Sequence, residues 1–266
     1  MVSISELPTD AAEGIRFVLT DIDDTLTSGG RLTSGAFDAL WRLDQAGLVV
    51  IPVTGRPAGW CDCIVRQWPV EAVIGENGAF TLYRDASSIA EYRHPEVCAE
   101  TVHARLNDIR RAVLERIPGA RVARDQPYRK FDLAIDFRED PPDLGYETAV
   151  RIAEICRAQG AQAKISSIHV NTWFGSYDKV SMARLFLDRR FGLSDDQMMD
   201  SVMFCGDSPN DEPMFSFFPI SCAVSNICET VGLMTTKPRY VSSKPTGAGF
   251  AEIVDTVLRK KTRLRG

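Results

Sequence analysis

Phe17-Val18-Leu19-Thr20-Asp21-Ile22-Asp23-Asp24-Thr25 is the stretch on which the fold turns. Phe17 to Ile22 is a nearly continuous apolar run, the pattern of a strand covered on both faces. It breaks off in the polar turn Asp23-Asp24-Thr25. Downstream, Ser34 to Ala46 predicts a helix, with Phe37, Leu40, Trp41 and Leu43 as its apolar stripe and Gly47 as its stop. A second apolar run, Leu48 to Val53, ends in Thr54-Gly55-Arg56-Pro57, and a helix over about 58–67 leads to the short strand Ala72-Val73-Ile74. Strand and helix alternation of this kind predicts an α/β fold, a doubly wound parallel sheet with helices on both faces.

From Phe80 the pattern changes. Phe80 to Tyr92 reads as two short strands around a polar turn, and a long helix over about 96–117 stops at Pro118-Gly119. Strands are expected at 121–124 and 131–138, a helix at 143–158, and strands near 162–166 and 168–174. The first style then returns: a helix at 178–190, the strand Ser201 to Cys205, the strand Ile220 to Val224, a strand at 239–241 and a helix at 250–260. The expected organisation is a core of residues 1–82 and 176–266 with an α+β cap inserted at 83–175. The stretch from Thr54 to Lys179 is far longer than the roughly 30–40 residues of one strand–helix unit, which leaves room for a small domain.

Composition narrows the function. The chain has 266 residues, 44% of them hydrophobic, and a net charge of −5. An acidic balance disfavours a nucleic-acid binder, whose affinity comes from neutralised phosphates. No apolar run approaches the roughly 20 residues that cross a bilayer, and the N-terminal MVSISELPTDAAEG has neither the basic start nor the apolar stretch of a secretory signal. Seven cysteines (Cys61, Cys63, Cys98, Cys156, Cys205, Cys222 and Cys228) include no Cys-x-x-Cys pair, and His is rare. They are read as reduced, mostly buried thiols of a cytoplasmic protein that is a monomer or weak homodimer.

In open parallel sheets, ligands bind beyond the carboxyl ends of the strands. Three such ends carry Asp21-x-Asp23-x-Thr25, Thr54-Gly55-Arg56 and Gly206-Asp207-Ser208-Pro209-Asn210-Asp211, and Lys179 opens the helix after the cap. Asp21, Asp23, Asp207 and Asp211 brought into one crevice repel one another and call for a cation. All-oxygen donors with no His or Cys suit a hard ion, Mg²⁺ best. Lys179 adds the charge that a transferring phosphoryl group needs, and such transfer requires little beyond positioning and neutralisation. Asp21 at the strand end is placed to attack phosphorus. Asp23, protonated, would serve the leaving alcohol and then deprotonate water. Backbone N–H groups of the 22–25 turn can hold phosphoryl oxygens.

These four ordered stretches resemble the motifs of the haloacid dehalogenase (HAD) phosphatases, and the resemblance spans about residues 15 to 250. Ile74-Gly75-Glu76-Asn77-Gly78-Ala79 ahead of the insertion is similar to the large-cap group (subfamily IIB) that holds Cof-type sugar phosphatases and sucrose-phosphate, trehalose-phosphate and mannosyl-phosphoglycerate phosphatases. The resemblance implies Asp21 as nucleophile and Mg²⁺ ligand, and Asp23 as general acid/base that lends the metal its backbone carbonyl. It implies Thr54 as the phosphoryl-binding hydroxyl and Lys179 as the neutralising cation. Asp207 would be a further metal ligand, with Asp211 orienting Lys179 or a metal-bound water and Asn210 beside it. Asp24 departs from the glycine of many members.

Taken singly, these residues have plainer readings: Asp23 and Asp24 as turn caps, Thr54 as a helix cap, Asn210 and Asp211 as turn residues, Lys179 as a solvated lysine. Their order and spacing favour the site. The candidates for phosphate or substrate contact are Thr25, Gly55, Arg56, Asn77, Asn210 and Asn171, with Arg129, Lys130 and His169. His169, Asn171 and Trp173 alternate and so share one strand face, which can look onto the cleft or pack elsewhere. Trp60 and Trp68 are expected in the core, and the basic run Arg259 to Arg265 as a helix end that favours cations, followed by a frayed tail. The expected function is Mg²⁺-dependent hydrolysis of a small phosphorylated metabolite, a sugar phosphate first, with no nucleic-acid or membrane partner. A phosphosugar mutase, like the phosphomannomutase relatives, and a non-catalytic binding protein on the same fold are the alternatives.

Overall fold

The computed structural model describes residues 1–97, 99–166 and 168–262, without the side chains of residues 99–101. Cys98 and the end of the basic run, Arg263 to Arg265, lie outside the described residues. The chain begins β1 (Val2–Ser3), α1 (Thr9–Gly14), β2 (Phe17–Thr20), a small hairpin β3 (Thr27–Ser28) and β4 (Arg31–Leu32), α2 (Ser34–Gln45), β5 (Val49–Pro52), α3 (Ala58–Gln67) and β6 (Ala72–Gly75). The middle runs β7 (Phe80–Asp85), β8 (Ser88–Arg93), α4 (Ala99–Arg116), β9 (Arg121–Val122), β10 (Leu133–Asp136), α5 (Gly145–Ala158), β11 (Gln162–Ile165) and β12 (His169–Trp173). The last part holds α6 (Lys179–Phe191), α7 (Asp195–Ser201), β13 (Val202–Gly206), α8 (Glu212–Phe217), β14 (Ile220–Ala223), β15 (Tyr240–Val241) and α9 (Thr246–Thr262).

The main sheet has the order β1-β15-β14-β13-β2-β5, and every pairing in it is parallel. A parallel bridge from Val53 to Ile74 lays β6 beside β5, and the antiparallel hairpin β7–β8 continues outward from β6. The apolar strand runs explain the double covering. Val18, Val50, Met203 and Cys205 pack on one side with α2, α3 and α9 residues such as Leu40, Ile64 and Phe250. Phe17, Leu19, Ile51 and Phe204 pack on the other with Phe186 of α6, Met198 of α7 and Met214 of α8. Each fully buried side chain of this size contributes about 1.5–3 kcal/mol.

The cap has its own sheet, in the order β11-β12-β10-β9 and antiparallel throughout. Period-2 alternation splits its faces. Leu133, Ile135, Ala163 and Val170 turn to α4 and α5, where Ile109, Val113, Ile152 and Cys156 close a separate apolar cluster. The opposite, polar face carries Asp132, Asn171 and His169.

Several expectations are corrected. The helices α1, α7 and α8 and the hairpin β3–β4 were not anticipated; α7 opens with Ser194 and Gln197 bonding reciprocally to each other's backbone, a capping box visible in the sequence. Trp41 is 43% exposed, because the buried stripe of α2 is Ala36, Ala39, Leu40 and Leu43. Trp60 is not core: it is 42% exposed and lies under Arg56, whose guanidinium carbon is 4.6 Å from the ring centre. Trp68 does pack against the core and meets Phe37 edge-on. The basic run does lie in the last turn of α9 through Lys261, as expected of a helix end that favours cations. Lys260 donates to the carbonyls of Ser5 and Leu7, and Lys261 to those of Ala12, Glu13 and Ile15. The two ammonium groups thus satisfy carbonyls in the N-terminal segment and at the end of α1.

Candidate active site

Because β14, β13, β2 and β5 are neighbours, the residues that follow them meet at one rim: Asn226, Asp207, Asp21 and Thr54. Lys179 reaches the same place from α6. Its Nζ donates to Asp21 Oδ1 and to Asp211 Oδ1, each at 2.8 Å, and all three side chains are buried. The helix start that aims it is anchored twice. Asp178 caps α6 through Ser181. Gly78, at φ +106°, lies so close that a Cβ there would stand 2.1 Å from the Asp178 carbonyl oxygen. Asp211 Oδ2 accepts from the Asp207 N–H at 3.1 Å, and the turn needs Gly206, where a Cβ would come within 2.4 Å of that carboxylate.

Asp207 receives two long contacts, from Thr25 Oγ1 at 3.3 Å and from Asn226 Nδ2 at 3.3 Å. Asn226 also binds the Asp24 carbonyl at 3.1 Å. Asp21, Asp207 and Asp211 offer oxygens within 4.8 Å of one another, so this set can hold a hard cation. Asp23 is not part of that carboxylate set. Burial lifts the Asp21 carboxyl to about 7; Lys179 pulls it down, while Asp211 and Asp23 push it up. Burial, then Asp211 and Asp21, holds Asp207 well above the carboxylate range. Burial works against the Lys179 ammonium, but Asp21 and Asp211 outweigh it and raise its pKa.

Arg56 grips both oxygens of Asp23, each at 2.8 Å. Its third nitrogen reaches the cap, at 3.3 Å from Glu139 and 3.8 Å from Asp125. Glu139 in turn meets His169 Nε2 at 2.8 Å. That hydrogen bond, opposed by partial burial, takes the Glu139 carboxyl down to about 2. Arg129 is buried against Asp132 and Asp125 and donates to the Gly55 carbonyl at 2.9 Å. Asn171 Nδ2 donates to Asp132 at 3.0 Å. Thr54 Oγ1 accepts from the Arg56 N–H at 3.1 Å and is fully buried.

A narrow crevice opens between rim and cap. Asp21, Asp23, Gly55, Arg56, Asn77 and Asp207 line it from the core; Arg129, His169 and Asn171 line it from the cap; Ser208 and Asn210 stand at the edge. Buried Asn77 Nδ2 has no acceptor among the described residues, a donor left for a ligand. Two candidates fall elsewhere. Lys130 pairs with Glu91 on the surface, and Trp173 stacks on Tyr177 with centroids 5.8 Å apart.

Glu76, at φ +45°, ties core to cap. Its oxygens accept from the N–H groups of Ala58 at 3.1 Å, Lys130 at 2.8 Å and Phe131 at 2.6 Å. Burial first, then Asp132, lifts its carboxyl to about 8 in spite of these bonds. Glu76→Ala is expected to cost at least about 2 kcal/mol in urea unfolding, since it strands three donors worth about 1–3 kcal/mol each and only part is offset by removing a buried polar group. Glu76→Gln keeps the acceptor for two of them and is expected to cost less; equal stability of wild type and Glu76→Ala would refute this account.

Residues 18–113 match a family model described as haloacid dehalogenase-like hydrolase. Among solved structures, a Thermoplasma acidophilum protein superposes with a TM-score of 0.70 at 20% identity, covering 92% of this chain and 98% of its own. A Bacteroides thetaiotaomicron protein analysed among phosphatases of the HAD superfamily gives 0.63 at 19%, covering 91% and 95%. The chain has the haloacid dehalogenase-like fold. Synechocystis sucrose-phosphatase, solved with sucrose and phosphate, gives 0.63 at 14%, covering 91% and 97%. No curated protein matches by sequence. The expected α/β fold holds, and the family-model match over residues 18–113 agrees with the haloacid dehalogenase resemblance. The sequence reading missed Asn226, Asp125, Asp132, Glu139 and Lys164. Asn226 had a signal, since it follows β14 at the same rim as the motifs; the others are cap residues with no motif of their own.

Proposed function

We propose that this chain is a Mg²⁺-dependent phosphomonoester hydrolase that acts on a small phosphorylated metabolite, with sugar phosphates as the leading class, through an aspartyl-phosphate. The observation that carries it is Lys179 bridging Asp21 and Asp211 at the core rim, where Asp21 and Asp207 line a crevice that polar cap residues face. An Asp21 oxygen attacks phosphorus and the bond from phosphorus to the ester oxygen breaks, with protonated Asp23 giving its proton to the leaving alkoxide. Water then attacks the phosphoryl group and Asp23 takes its proton. The bond to Asp21 breaks, inorganic phosphate leaves, and both aspartates are restored. Thr54, Lys179, Asn77 and the 22–25 backbone would hold the phosphoryl oxygens, with Thr25, Gly55, Asn210 and Asn171 shaping their surroundings. Arg56 holds both oxygens of Asp23 and so orients it, and ties it to Glu139 of the cap.

The donor set fits Mg²⁺: only oxygens, crowded enough that burial and like charge raise Asp21 and Asp207. Asp21 and Asp207, with the Asp23 carbonyl, would hold the ion. Both oxygens of Asp211 are engaged, by Lys179 and by the Asp207 N–H, so Asp211 acts as an anchor. When bound, Mg²⁺ supplies charge neutralisation at the phosphoryl group. The inserted unit built on the sheet β11-β12-β10-β9 would select the leaving group and exclude bulk water, while the hairpin β7–β8 of the expected 83–175 insertion extends the core from β6. Among the described residues no helix is long and apolar enough to cross a membrane, and the described cysteines are free, four of them buried; we read the protein as cytoplasmic, a monomer or weak homodimer.

The test is phosphate release from a panel of sugar phosphates and p-nitrophenyl phosphate. Turnover is expected with Mg²⁺, loss with EDTA, and recovery on adding Mg²⁺ back. Isomer formation without phosphate release would make the chain a mutase. No turnover of any ester would favour a binding protein.

A further inference from the structure

Lys164 sits on β11, the edge strand of the cap sheet, directly opposite Asn171 of β12. Side chains of directly paired residues leave the same face of a sheet. Lys164, Ser166, His169 and Asn171 accordingly line the roof of the crevice. The other cations there are already matched: Arg56 by Asp23 and Glu139, Arg129 by Asp125 and Asp132. At the core rim, Lys179 is matched by Asp21 and Asp211. Lys164 differs from all three. Among the described residues its ammonium makes no hydrogen bond and no ion pair. It is also partly withdrawn from water, and burial lowers its pKa. A half-buried ammonium with no carboxylate in contact, and only the more distant Asp178 and Asp211 acting against the cost of burial, carries a penalty that an incoming anion removes.

The position on the cap decides which anion. The transferring phosphoryl group belongs to the core rim, where Lys179 and the carboxylate set provide for its charge. The leaving group projects from there toward the roof. We propose that Lys164 is a specificity residue that pairs with a second negative charge, a carboxylate or a second phosphate, on the leaving group of the substrate. This rests on the hydrolase reading above and narrows it to esters that carry an anion remote from the scissile bond.

Matched ester pairs test it: 3-phosphoglycerate against glycerol 3-phosphate for a carboxylate, and glucose 1,6-bisphosphate against glucose 6-phosphate for a phosphate. In at least one pair the wild type is expected to favour the anionic member in kcat/KM by about tenfold to a hundredfold, the range of a charge-assisted hydrogen bond. Lys164→Met and Lys164→Gln should collapse that preference through KM, and Lys164→Arg should restore part of it; melting curves verify that each variant folds. The pair that shows the preference identifies the source of the charge. Absence of preference in both pairs, or an equal fall for both members in Lys164→Met, overturns the proposal and leaves the hydrolase reading standing; the equal fall would assign Lys164 to the transferring phosphoryl group. No phosphate release from any of these esters or from p-nitrophenyl phosphate would instead sink the hydrolase reading itself.

Discussion

Replacing Asp21 by asparagine is expected to lower phosphate release from any ester by at least about 10⁴-fold, the scale on which removal of a catalytic nucleophile acts. The amide is isosteric, and its oxygen can still accept from Lys179, which stands 2.8 Å from Asp21 Oδ1. It cannot form the acyl phosphate, because an amide oxygen is a poor nucleophile. Stability should stay within about 1 kcal/mol of wild type or rise. Burial and the like charges of Asp211 and Asp23 already lift the Asp21 carboxyl to about 7, so its charge is not what holds the fold. kcat with p-nitrophenyl phosphate and a urea curve check both halves. Activity above about one per cent of wild type would remove Asp21 from the role of nucleophile.

The rim was legible because it is local. Each motif sits within a few residues of a strand end, and a continuous apolar run followed by a polar turn marks that end in sequence. The cap alternation was legible for the same reason: His169 and Asn171 share a face by period alone, and both line the crevice. Trp173 shares their period, yet its indole N–H donates to the Tyr177 carbonyl at 3.2 Å and its ring is buried in the core, a choice made by a neighbour and not by the strand. What stayed hidden are the pairings across long separations. Arg56 meets Glu139 83 positions away, and Asn226 meets Asp24 across 202. No local pattern encodes such contacts. Arg56 is a substrate-contact candidate in sequence; in three dimensions three carboxylates and the Trp60 ring surround it. Lys164 was passed over because in an edge strand it looks like a solvated lysine.

Lys179→Met carries the largest expected effect on stability, about 3–5 kcal/mol measured in EDTA, and abolishes turnover as well. The Lys179 side chain is only 6% exposed, Asp21 6% and Asp211 not at all. Removing the cation leaves two buried carboxylates facing each other, the situation in which breaking a buried pair costs most. The cost should depend on pH, with a definite sign. Lys179 is the first influence that lowers the Asp21 carboxyl; without it that group rises further above about 7, while its ordinary value is 3.8. A carboxyl whose pKa is higher folded than unfolded keeps its proton in the native state. Its contribution is fully present below the unfolded pKa and is lost as pH rises through the folded one. Urea unfolding at about pH 5.5 should therefore show a smaller penalty than at about pH 8.5. Adding Asp211→Asn to Lys179→Met removes one of the stranded charges and should return part of the stability while activity stays absent. A penalty that is the same at both pH values, or a double variant no more stable than the single one, would show that Lys179 is held there by packing and not by the two acids it bridges.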